Sequence, residues 1–589
     1  MKHLRWIWGF WGPHRAWLTV LVFLTLLSSA VTIGYPLVFR YLIDALNKNL
    51  GAAVPEMAGT TTWNLVGIIA AIGFARSLAY LYPGFRAMLN AKLEMDIRQH
   101  YFAAIINKGY RFFQKFRTGD LVTRLTDDIG GFPKIAWFSC SGIFRAVESS
   151  SKFIFCMSFM LWMNWKLALL SVAPLPVMLY IFYYVRSALG QRAADRQKII
   201  SKTNDSLEAA FSGVRILKAF RGENNQSCEF RKLLDKRIEV ELGVIRLWMG
   251  VWNLYWGIEF VGQIIVIIAG GMMVIRGTLS LGEFYAFYVY LSLLLQPLMD
   301  IPHLFVTSRQ AFASIDREIE LDETPGGTEG VYTGSVPVGA VESVSLSGVC
   351  FRYEEDLPLS LEDISLTLHK GERAAVVGSV GSGKSTLIKL VAGQLPPSEG
   401  QVTLNGKPLT DYEIDEYRAR VGYIPQEATL FSESVRENVR FGRDLADEAV
   451  SDSLEFAQVK KEMEALPDGI NQVLGQKGLT VSGGQKQRLA IARALAGKPD
   501  LLLMDDCTAS LDAENERAFW AMFAEKFPDA ACLIVSHRLA TARQADTVYV
   551  LAEGRIVGKG THSELLVSCD EYRSFLTREE LKAALGAAR

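Results

Sequence analysis

Residues 378–386 read Gly378-Ser379-Val380-Gly381-Ser382-Gly383-Lys384-Ser385-Thr386, which matches the phosphate-loop pattern G-x-x-x-x-G-K-[ST] at every fixed position. The apolar run before it, 374–377, predicts a short buried strand, and the residues from Thr386 onward predict a helix. In that setting, backbone N–H groups and the helix dipole converge on phosphate. We expect Lys384 to reach the β- and γ-phosphates of a nucleoside triphosphate and Ser385 to bind Mg²⁺. The alternative is a glycine-rich turn with no ligand.

The chain of 589 residues has two halves of different composition. Residues 1 to about 310 are rich in long apolar runs and aromatic residues, whereas the remainder has an ordinary globular composition. The formal net charge of −1 argues against a nucleic-acid-binding protein, whose domains are usually strongly basic. The seven cysteines include no C-x-x-C pair, so neither a metal knuckle nor a disulfide framework is predicted. The N-terminus does not show the pattern of a secretory signal peptide, and none is expected.

The first half predicts a membrane domain over residues 17–310. Before it, residues 1–16 carry tryptophans among basic residues, which predicts an elbow helix at the lipid headgroups. Six stretches are long enough, at about 20 residues each, to cross about 30 Å of hydrocarbon. The short connection 164–166 predicts a tight hairpin between the third and the fourth. The six predicted spans are 17–39, 63–83, 142–163, 167–187, 252–275 and 284–306.

Positive charges between the predicted spans set their orientation. Residues 84–137 carry nine Lys and Arg and residues 186–250 carry thirteen, whereas the connections 42–62, 164–166 and 276–283 carry one each. Because Lys and Arg are enriched on the cytoplasmic side, the two long segments belong in the cytoplasm. Both have helical sequence patterns, so spans 2 to 5 are expected to continue as helices beyond the membrane.

Ionisable side chains inside the predicted spans are candidates for a substrate cavity, because such groups are costly in hydrocarbon and usually face a bundle interior or water. Three of them lie on one face of the third span, at i, i+3 and i+7. Two interpretations of these three stay open: a salt-bridge ladder that only holds helices together, or contact with a transported substrate. The candidates are Arg76, Arg145, Glu148, Lys152, Glu259 and Asp300.

The second half predicts a soluble α/β domain. A turn-rich stretch predicts a linker over 311–340, the domain is expected over 341–575, and residues 576–589 form a C-terminal tail. Helical and strand patterns alternate after the phosphate loop, which favours a parallel sheet flanked by helices.

Two strands of this domain are predicted to end in residues that act on the nucleotide. The apolar run 501–505 ends in Asp505, where phosphate-loop ATPases place a second Mg²⁺-binding residue, and Asp506 follows it. The run 533–537 ends in His537 at the same sheet edge. A single histidine is more often structural, but this one lies where the γ-phosphate is expected.

Residues 481–488 form a further motif, which by itself predicts a Gly-rich turn that opens a helix. They read Val481-Ser482-Gly483-Gly484-Gln485-Lys486-Gln487-Arg488. With this motif, the whole chain resembles a half-transporter of the ATP-binding cassette (ABC) superfamily, of the six-span, multidrug-resistance-like (type IV) exporter type. The motif departs from the family signature only at Val481, where Leu is usual. The resemblance implies an α-helical six-span transmembrane domain fused to an α/β P-loop ATPase domain. It also implies a multi-pass protein of the bacterial inner membrane whose nucleotide domain is cytoplasmic.

The resemblance assigns roles to individual residues. Tyr353 would stack on adenine, Gln426 would contact Mg²⁺ and the attacking water, and His537 would be the switch histidine. Residues 112–124 and 213–220 resemble the two coupling segments, and 509–512 the loop that communicates between two ATP sites. The implied ATP-binding set is Tyr353, Gly378, Ser379, Val380, Gly381, Ser382, Gly383, Lys384, Ser385, Thr386, Ser482, Gly483, Gly484 and Gln485. The implied catalytic set is Asp506, His537 and Gln426, and the implied metal set is Ser385, Gln426 and Asp505.

Two departures from the family pattern bear on activity. Asp506 stands where a catalytic glutamate is usual, and residues 475–478 read Gly-Gln-Lys-Gly where Gly-Glu-Arg-Gly is common. Because an aspartate is one methylene shorter, this chain is expected to pair with a second half-transporter subunit that supplies a glutamate. A heterodimer is favoured and a homodimer is possible.

The function that the resemblance implies is ATP-driven export of a small amphipathic or hydrophobic substrate, such as a drug, a lipid or a peptide-like molecule, with ATP and Mg²⁺ as cofactors. Its partners would be the second subunit, the lipid bilayer and the small-molecule substrate. No nucleic acid is expected among them. Two alternatives stay open: an importer of a metal chelate or siderophore, and a regulatory ABC subunit.

Overall fold

The computed structural model describes residues 2–50, 58–327, 330–475, 481–507, 513–536 and 539–577. The chain forms two compact units. One comprises Met1–Ala103 and Gly119–Asp322, and the other comprises Ala104–Thr118 and Glu323–Arg589. The segment Ala104–Thr118 therefore groups with the second unit, although its neighbours in sequence belong to the first.

The described chain up to residue 323 is helical. Short 3₁₀- or π-helical turns occur at Gly12–His14, Arg124–Asp128, Phe138–Gly142 and Val266–Gly270. The helices are α1 (Lys2–Trp11), α2 (Arg15–Leu50), α3 (Ala58–Ala79), α4 (Tyr82–Ile106), α5 (Tyr110–Lys115), α6 (Thr118–Thr123), α7 (Ile135–Trp137), α8 (Ile143–Val172), α9 (Leu175–Ser212), α10 (Val214–Ala219), α11 (Glu223–Ile265), α12 (Gly271–Ile275) and α13 (Leu281–Glu323).

Among the described residues, five helical stretches are long and apolar enough to cross a membrane. A sixth apolar stretch, Leu175–Val185, is shorter and coincides with the predicted fourth span. Only 11% to 40% of the residues in the five apolar windows are buried inside the protein. Such broad exposed apolar surfaces fit lipid, because water would make them aggregate. The five stretches are Lys2–Ala45, Val66–Ile106, Ile135–Val172, Glu223–Ile275 and Leu281–Glu323.

The inner faces of these helices form a packed core. Phe287, Tyr290 and Leu294, spaced by three and four residues on α13, are fully buried. The hydroxyl of Tyr290 donates a 2.7 Å hydrogen bond to the carbonyl oxygen of Ile33 on α2. A polar group buried at this depth requires such a partner, so the bond fixes these two helices side by side.

Two details of the helices refine the sequence expectations. The backbone of α8 leaves helical geometry at Asn164 (φ −158°, ψ 102°), the first residue of the predicted hairpin. The Asn164 side chain accepts a hydrogen bond from the N–H of Leu167 and so caps the next turns.

The last helix of the first half, α13, continues to Glu323, so the predicted linker begins later than residue 311. The reason is that no Pro or Gly interrupts residues 303–323.

The second unit contains a six-stranded sheet in the order β10-β9-β3-β8-β7-β6 and a four-stranded antiparallel sheet in the order β2-β1-β4-β5. In the larger sheet only β10 pairs antiparallel. The strands are β1 (Ser343–Phe351), β2 (Leu361–His369), β3 (Arg373–Gly378), β4 (Glu399–Leu404), β5 (Lys407–Pro408), β6 (Val421–Ile424), β7 (Leu501–Asp505), β8 (Ala531–Val535), β9 (Thr547–Ala552) and β10 (Arg555–Gly560).

Helices connect these strands, as expected of an α/β domain. They are α14 (Lys384–Val391), α15 (Ile414–Arg420), α16 (Val435–Arg440), α17 (Asp447–Phe456), α18 (Lys460–Glu464), α19 (Gly483–Leu495), α20 (Ala513–Lys526), α21 (Leu539–Gln544) and α22 (His562–Ser568).

The register of the parallel strands brings their carboxyl ends to one edge. Val535 of β8 lies opposite Val376 of β3 on one side and opposite Asp505 of β7 on the other. The loop after β3 and the residues after β7 therefore meet at the sheet edge where open α/β sheets bind ligands.

Three hydrophobic cores lie among the described residues of this unit, and two of them hold the helices that matter for the candidate site. Leu387 and Ile388 of α14 lie in a core that includes both sheets, and Leu489 and Ile491 of α19 lie in a second core built mainly from helices. Helix α14, which follows the phosphate loop, and helix α19, which begins at Gly483, are therefore anchored in different hydrophobic cores.

Candidate functional site

The phosphate loop runs from the end of β3 to the start of α14. Two of its glycines are required by sterics. Gly383 has a left-handed backbone (φ +103°), and a Cβ there would lie 2.7 Å from the carbonyl oxygen of Ser360. A Cβ on Gly378 would collide with the carbonyl oxygen of Leu551. Close packing by the neighbouring loops therefore requires glycine at both positions of this tight turn.

The Lys384 ammonium lies inside this loop. Its Nζ donates to the carbonyl oxygens of Gly378 (2.9 Å) and Ser379 (2.7 Å), and the side chain is buried. Burial lowers the pKa of Lys384, and the carboxylates of Asp506 and Asp505 oppose that shift. Since carbonyl oxygens carry no formal charge, a phosphate bound in the loop would supply a countercharge that stabilises the ammonium.

Ser385 and Asp505 form the part of the site that fits Mg²⁺. The Ser385 hydroxyl donates to Oδ1 of Asp505 at 3.2 Å. Adjacent oxygens of an octahedral Mg²⁺ site, at about 2.1 Å from the metal, lie about 3 Å apart, so the pair has the right chemistry and spacing. The described residues contain no group of three His, Cys, Asp or Glu that could hold a metal alone. Phosphate oxygens would therefore complete this site.

The charge of Asp505 depends on the groups that surround it. Burial raises the pKa of the Asp505 carboxyl, while the Ser385 hydrogen bond and the charges of Lys389 and Lys384 lower it. A divalent cation bound to this carboxyl would strongly favour the ionised form.

Asp506 follows β7 in a left-handed conformation (φ +46°), which aspartate tolerates better than most residues. Its N–H donates a 2.8 Å hydrogen bond to the carbonyl oxygen of Val535. The backbone at this position is therefore tied to β8, and the side chain is half-buried. Its carboxylate acts on the Lys384 charge, which places Asp506 within electrostatic range of the phosphate loop.

Tyr353, expected to stack on adenine, lies after β1 and is half-buried. Its hydroxyl shares a 2.9 Å hydrogen bond with Oγ1 of Thr386. Its ring meets Phe351 edge to face, at 5.0 Å between centroids. These contacts join the predicted adenine platform to the helix that follows the phosphate loop.

The predicted signature residues lie elsewhere in the unit. Ser482 caps α19 through a reciprocal capping box with Gln485, whose amide donates to Glu462 at 2.7 Å. Gln487 donates to the carbonyl oxygen of Pro425 at 3.2 Å and so links this helix to the loop of Gln426. The structure thus gathers Lys384, Ser385 and Asp505 but anchors the signature in the second core.

Gln426 is exposed in the loop after β6. His537, the segment 509–512 and residues 476–478 lie outside the described residues. Their predicted roles stay predictions.

In the first unit, a cavity of about 490 Å³ brings together five of the six candidate cavity residues. Two ion pairs lie within it: Lys152 Nζ to Glu148 Oε1 at 2.6 Å, and Arg145 Nη2 to Asp300 Oδ1 at 3.1 Å. The three charged residues of α8 therefore do not form one salt-bridge ladder: Glu148 and Lys152 pair with each other, and Arg145 pairs with Asp300 of α13. All of them also line the cavity. The five are Arg76, Arg145, Glu148, Lys152 and Asp300.

Glu259 is the exception among the candidates. It is buried on α11, does not line this cavity, and accepts a 3.0 Å hydrogen bond from Gln263. That face of α11 packs against the helix core, where Gln263 also reaches Ser292 of α13. The predicted place of Glu259 in a substrate cavity stays a prediction.

Two family models match the chain. One, described as the ABC transporter transmembrane region, covers residues 18–298, and the other, described as ABC transporter, covers residues 361–509. A probable multidrug resistance ABC transporter ATP-binding/permease protein of Bacillus subtilis (strain 168) is 32% identical over 503 residues, and the match spans 84% of each chain. The chain belongs to the ABC transporter family.

Other comparisons agree with this ABC transporter assignment. An ATP-dependent lipid A-core flippase of Aromatoleum aromaticum is 29% identical over 564 residues, covering 93% of this chain and 92% of that protein. The solved structure of a bacterial Atm1-family ABC exporter with ATP bound superposes with a TM-score of 0.77. That match is 21% identical and covers 96% of this chain and 99% of the other, so it shows the fold.

Membership confirms the main expectations from the sequence. This ABC transporter is a multi-pass membrane ATPase that couples ATP hydrolysis to transport, with a type IV exporter fold and a cytoplasmic nucleotide domain. Neither the importer nor the regulatory alternative is favoured.

One polar link in the transporter's nucleotide unit could not be predicted from the sequence. Lys389 of α14 donates to the hydroxyl of Tyr110 on α5 at 2.8 Å and lies 4.3 Å from the centre of its ring. Tyr110 lies two residues before Phe112, where the predicted first coupling segment begins. A lysine one turn beyond the phosphate loop was the only signal in the sequence for this contact.

Proposed function

We propose that this transporter exports a small amphipathic molecule. The observation that supports this proposal is the cavity among α2, α3, α4, α8 and α13. Its lining combines charged side chains with tyrosine and aliphatic surface. At about 490 Å³ it has the size of a site for one small ligand. Pockets that bind amphiphiles need both kinds of lining.

The phosphate loop supplies the driving reaction. Lys384 would bind the β- and γ-phosphates, and Ser385 and Asp505 would hold Mg²⁺. Mg²⁺ bound there would neutralise charge on the phosphate oxygens. Asp506 would orient and polarise the attacking water, and Gln426 and His537 would respond to the γ-phosphate.

Two subunits would form each working transporter. The anchoring of α19 in a separate core supports this arrangement, because the signature that it carries would face the nucleotide of another subunit. Closure around two ATP would favour an outward-facing state, and hydrolysis would restore the inward-facing one.

The test uses the full-length protein in vesicles whose nucleotide domains face outward. Three fluorescent amphiphiles share one C12 tail and reporter and differ in head group: phosphate, glucoside or trimethylammonium. ATP added outside should drive at least one of them into the lumen. The Lys384→Ala variant should lose this transport and at least about 100-fold of the ATPase rate, since it removes a charge that stabilises the transition state.

Two results would contradict the proposal. One is ATP hydrolysis without movement of any of the three amphiphiles. The other is net movement out of the lumen, which would indicate import.

A further inference from the structure

The charges that line the membrane cavity do not cancel. They are the cations Arg76, Arg86, Arg145 and Lys152 and the carboxylates Glu148 and Asp300. Each carboxylate already has a cation: Glu148 pairs with Lys152 and Asp300 with Arg145. Asp300 also accepts a 2.9 Å hydrogen bond from Ser149. Both carboxylates therefore already have a cationic partner within the protein.

The remaining two arginines face tyrosines instead of acids. The Arg76 guanidinium lies 5.7 Å from the ring centres of Tyr35 and Tyr80 and donates to the Tyr80 hydroxyl at 3.2 Å. The Arg86 guanidinium lies 5.0 Å from the ring centre of Tyr82, whose hydroxyl it approaches at 3.4 Å. Among the described residues, neither arginine belongs to an ion pair.

Arg76 is exposed and Arg86 is half-buried, so both guanidinium groups can be reached by a ligand. A cation–π contact compensates a positive charge only in part. Guanidinium groups bind phosphate and carboxylate with two parallel hydrogen bonds, which a tyrosine hydroxyl cannot match. Two such groups on the wall of one cavity therefore attract an anion. The tyrosine rings and the aliphatic residues Val31, Val289 and Leu293 leave room beside it for an apolar chain.

We propose that this cavity selects amphiphiles with an anionic head group, phosphate or carboxylate, and that Arg76 and Arg86 are the residues that select them. The inference rests on the proposed export of an amphipathic molecule and names its chemical class. The ion pairs Arg145–Asp300 and Lys152–Glu148 contribute no net charge to the cavity. A free phosphate ion would occupy only a small part of the cavity, so the apolar chain contributes to binding.

The experiment measures equilibrium binding to the full-length protein in nanodiscs of uncharged lipid, without ATP. Dodecyl phosphate and dodecanoate are compared with dodecyl glucoside and dodecyltrimethylammonium, which share the C12 chain. The anionic pair should bind at least about 10-fold more tightly than the glucoside. In the Arg76→Gln, Arg86→Gln double variant this preference should fall below about 3-fold.

Two controls separate charge from folding. The Arg76→Lys, Arg86→Lys variant keeps both charges and should keep most of the preference. Arg276→Gln removes an arginine that does not line the cavity, and it should leave binding and basal ATPase unchanged. A double Gln variant that unfolds is replaced by the two single variants, each expected to lose part of the preference.

Three results would overturn the inference: equal affinity for all head groups, tightest binding of the trimethylammonium compound, or a preference that persists in the Gln variants. Competition by millimolar inorganic phosphate as strong as that by dodecyl phosphate would also overturn it, since the site would then serve a free anion. None of these results depends on transport, so export itself can succeed or fail separately.

Discussion

At the scale of single residues, the proposed role of Asp506 in ATP hydrolysis would depend on the reach of its carboxylate. An aspartate places its carboxylate about 1 Å short of where a glutamate would, and a misplacement of that size can cost about 100-fold in rate. The backbone cannot move forward to compensate, because the Asp506 N–H is bonded to Val535 and φ is held at +46°.

Lengthening this side chain should therefore speed hydrolysis. We expect Asp506→Glu to raise the ATPase kcat of the purified chain by about 10- to 100-fold, with little change in KM for ATP. Asp506→Asn is the matched variant and should lower the residual rate. Equal or lower turnover in Asp506→Glu would mean that the site is already built for aspartate.

The candidate nucleotide-binding residues could be proposed from sequence because their motifs are local. Lys384 and Ser385 follow one another in a short motif, and Asp505 ends an apolar strand. The contact between Tyr110 and Lys389 joins residues 279 positions apart and leaves no local pattern. Arg86 was missed for a similar reason: it lies just beyond the predicted span, and only the folded structure shows that it lines the same cavity as Arg145.

At the scale of elements, helix α13 carries a buried acid beyond residue 306, where the predicted sixth span ends. Glu318 is fully buried, and among the described residues neither of its carboxyl oxygens has a hydrogen-bond partner. Its pKa is raised to about 8, mainly by burial and also by Asp128 and Asp322, against the opposing effects of Arg124 and Arg317. The folded protein therefore retains a proton that the unfolded chain releases above its ordinary pKa of 4.5.

This retention predicts how stability depends on pH. The free energy of unfolding should fall as pH rises from about 4.5 to about 8, by at most about 4–5 kcal/mol, and Glu318→Gln should remove that loss. The thermal midpoint of Glu318→Gln should thus exceed that of the wild type by an amount that grows from pH 5 to pH 8. Glu320→Gln, at a half-exposed carboxylate on the same helix, is the control. A difference that does not change with pH would contradict this prediction.

The helices also show how far sequence patterns define elements. Long apolar runs predicted the spans, since a membrane imposes a minimum length. The end of α13 was placed too early, because the turn-forming residues begin only at Thr324 and nothing before them stops a helix. The break at Asn164 fell where a short polar connection predicted it.

At the scale of the whole molecule, the shortened carboxylate bears on how subunits pair. In a homodimer both ATP sites would carry Asp506. In a heterodimer, a partner with a glutamate would form one efficient site, which the Ser482–Gln485 signature of this chain would complete.

We therefore expect the chain purified with a half-transporter encoded beside it to hydrolyse ATP about 10- to 100-fold faster than the chain alone. The faster rate should disappear when the partner's glutamate is replaced by glutamine and should persist in Asp506→Asn of this chain. ATPase rates of the two preparations, at equal protein concentration in nanodiscs, decide the question. Robust turnover by the isolated chain that survives Asp506→Asn would exclude this pairing.

The membership of Ala104–Thr118 in the second unit has a consequence for work with that unit as a separate fragment. A polypeptide that starts at Glu323 lacks Tyr110, which Lys389 contacts, and Arg111, whose guanidinium lies 5.6 Å from the Phe351 ring centre and donates to the Arg352 carbonyl. In such a fragment, Lys389 and the Phe351 ring would be exposed, because their contacts with Tyr110 and Arg111 would be absent. A synthetic peptide of residues 104–118 would complement it in trans, and in the intact transporter the same peptide would act as a decoy.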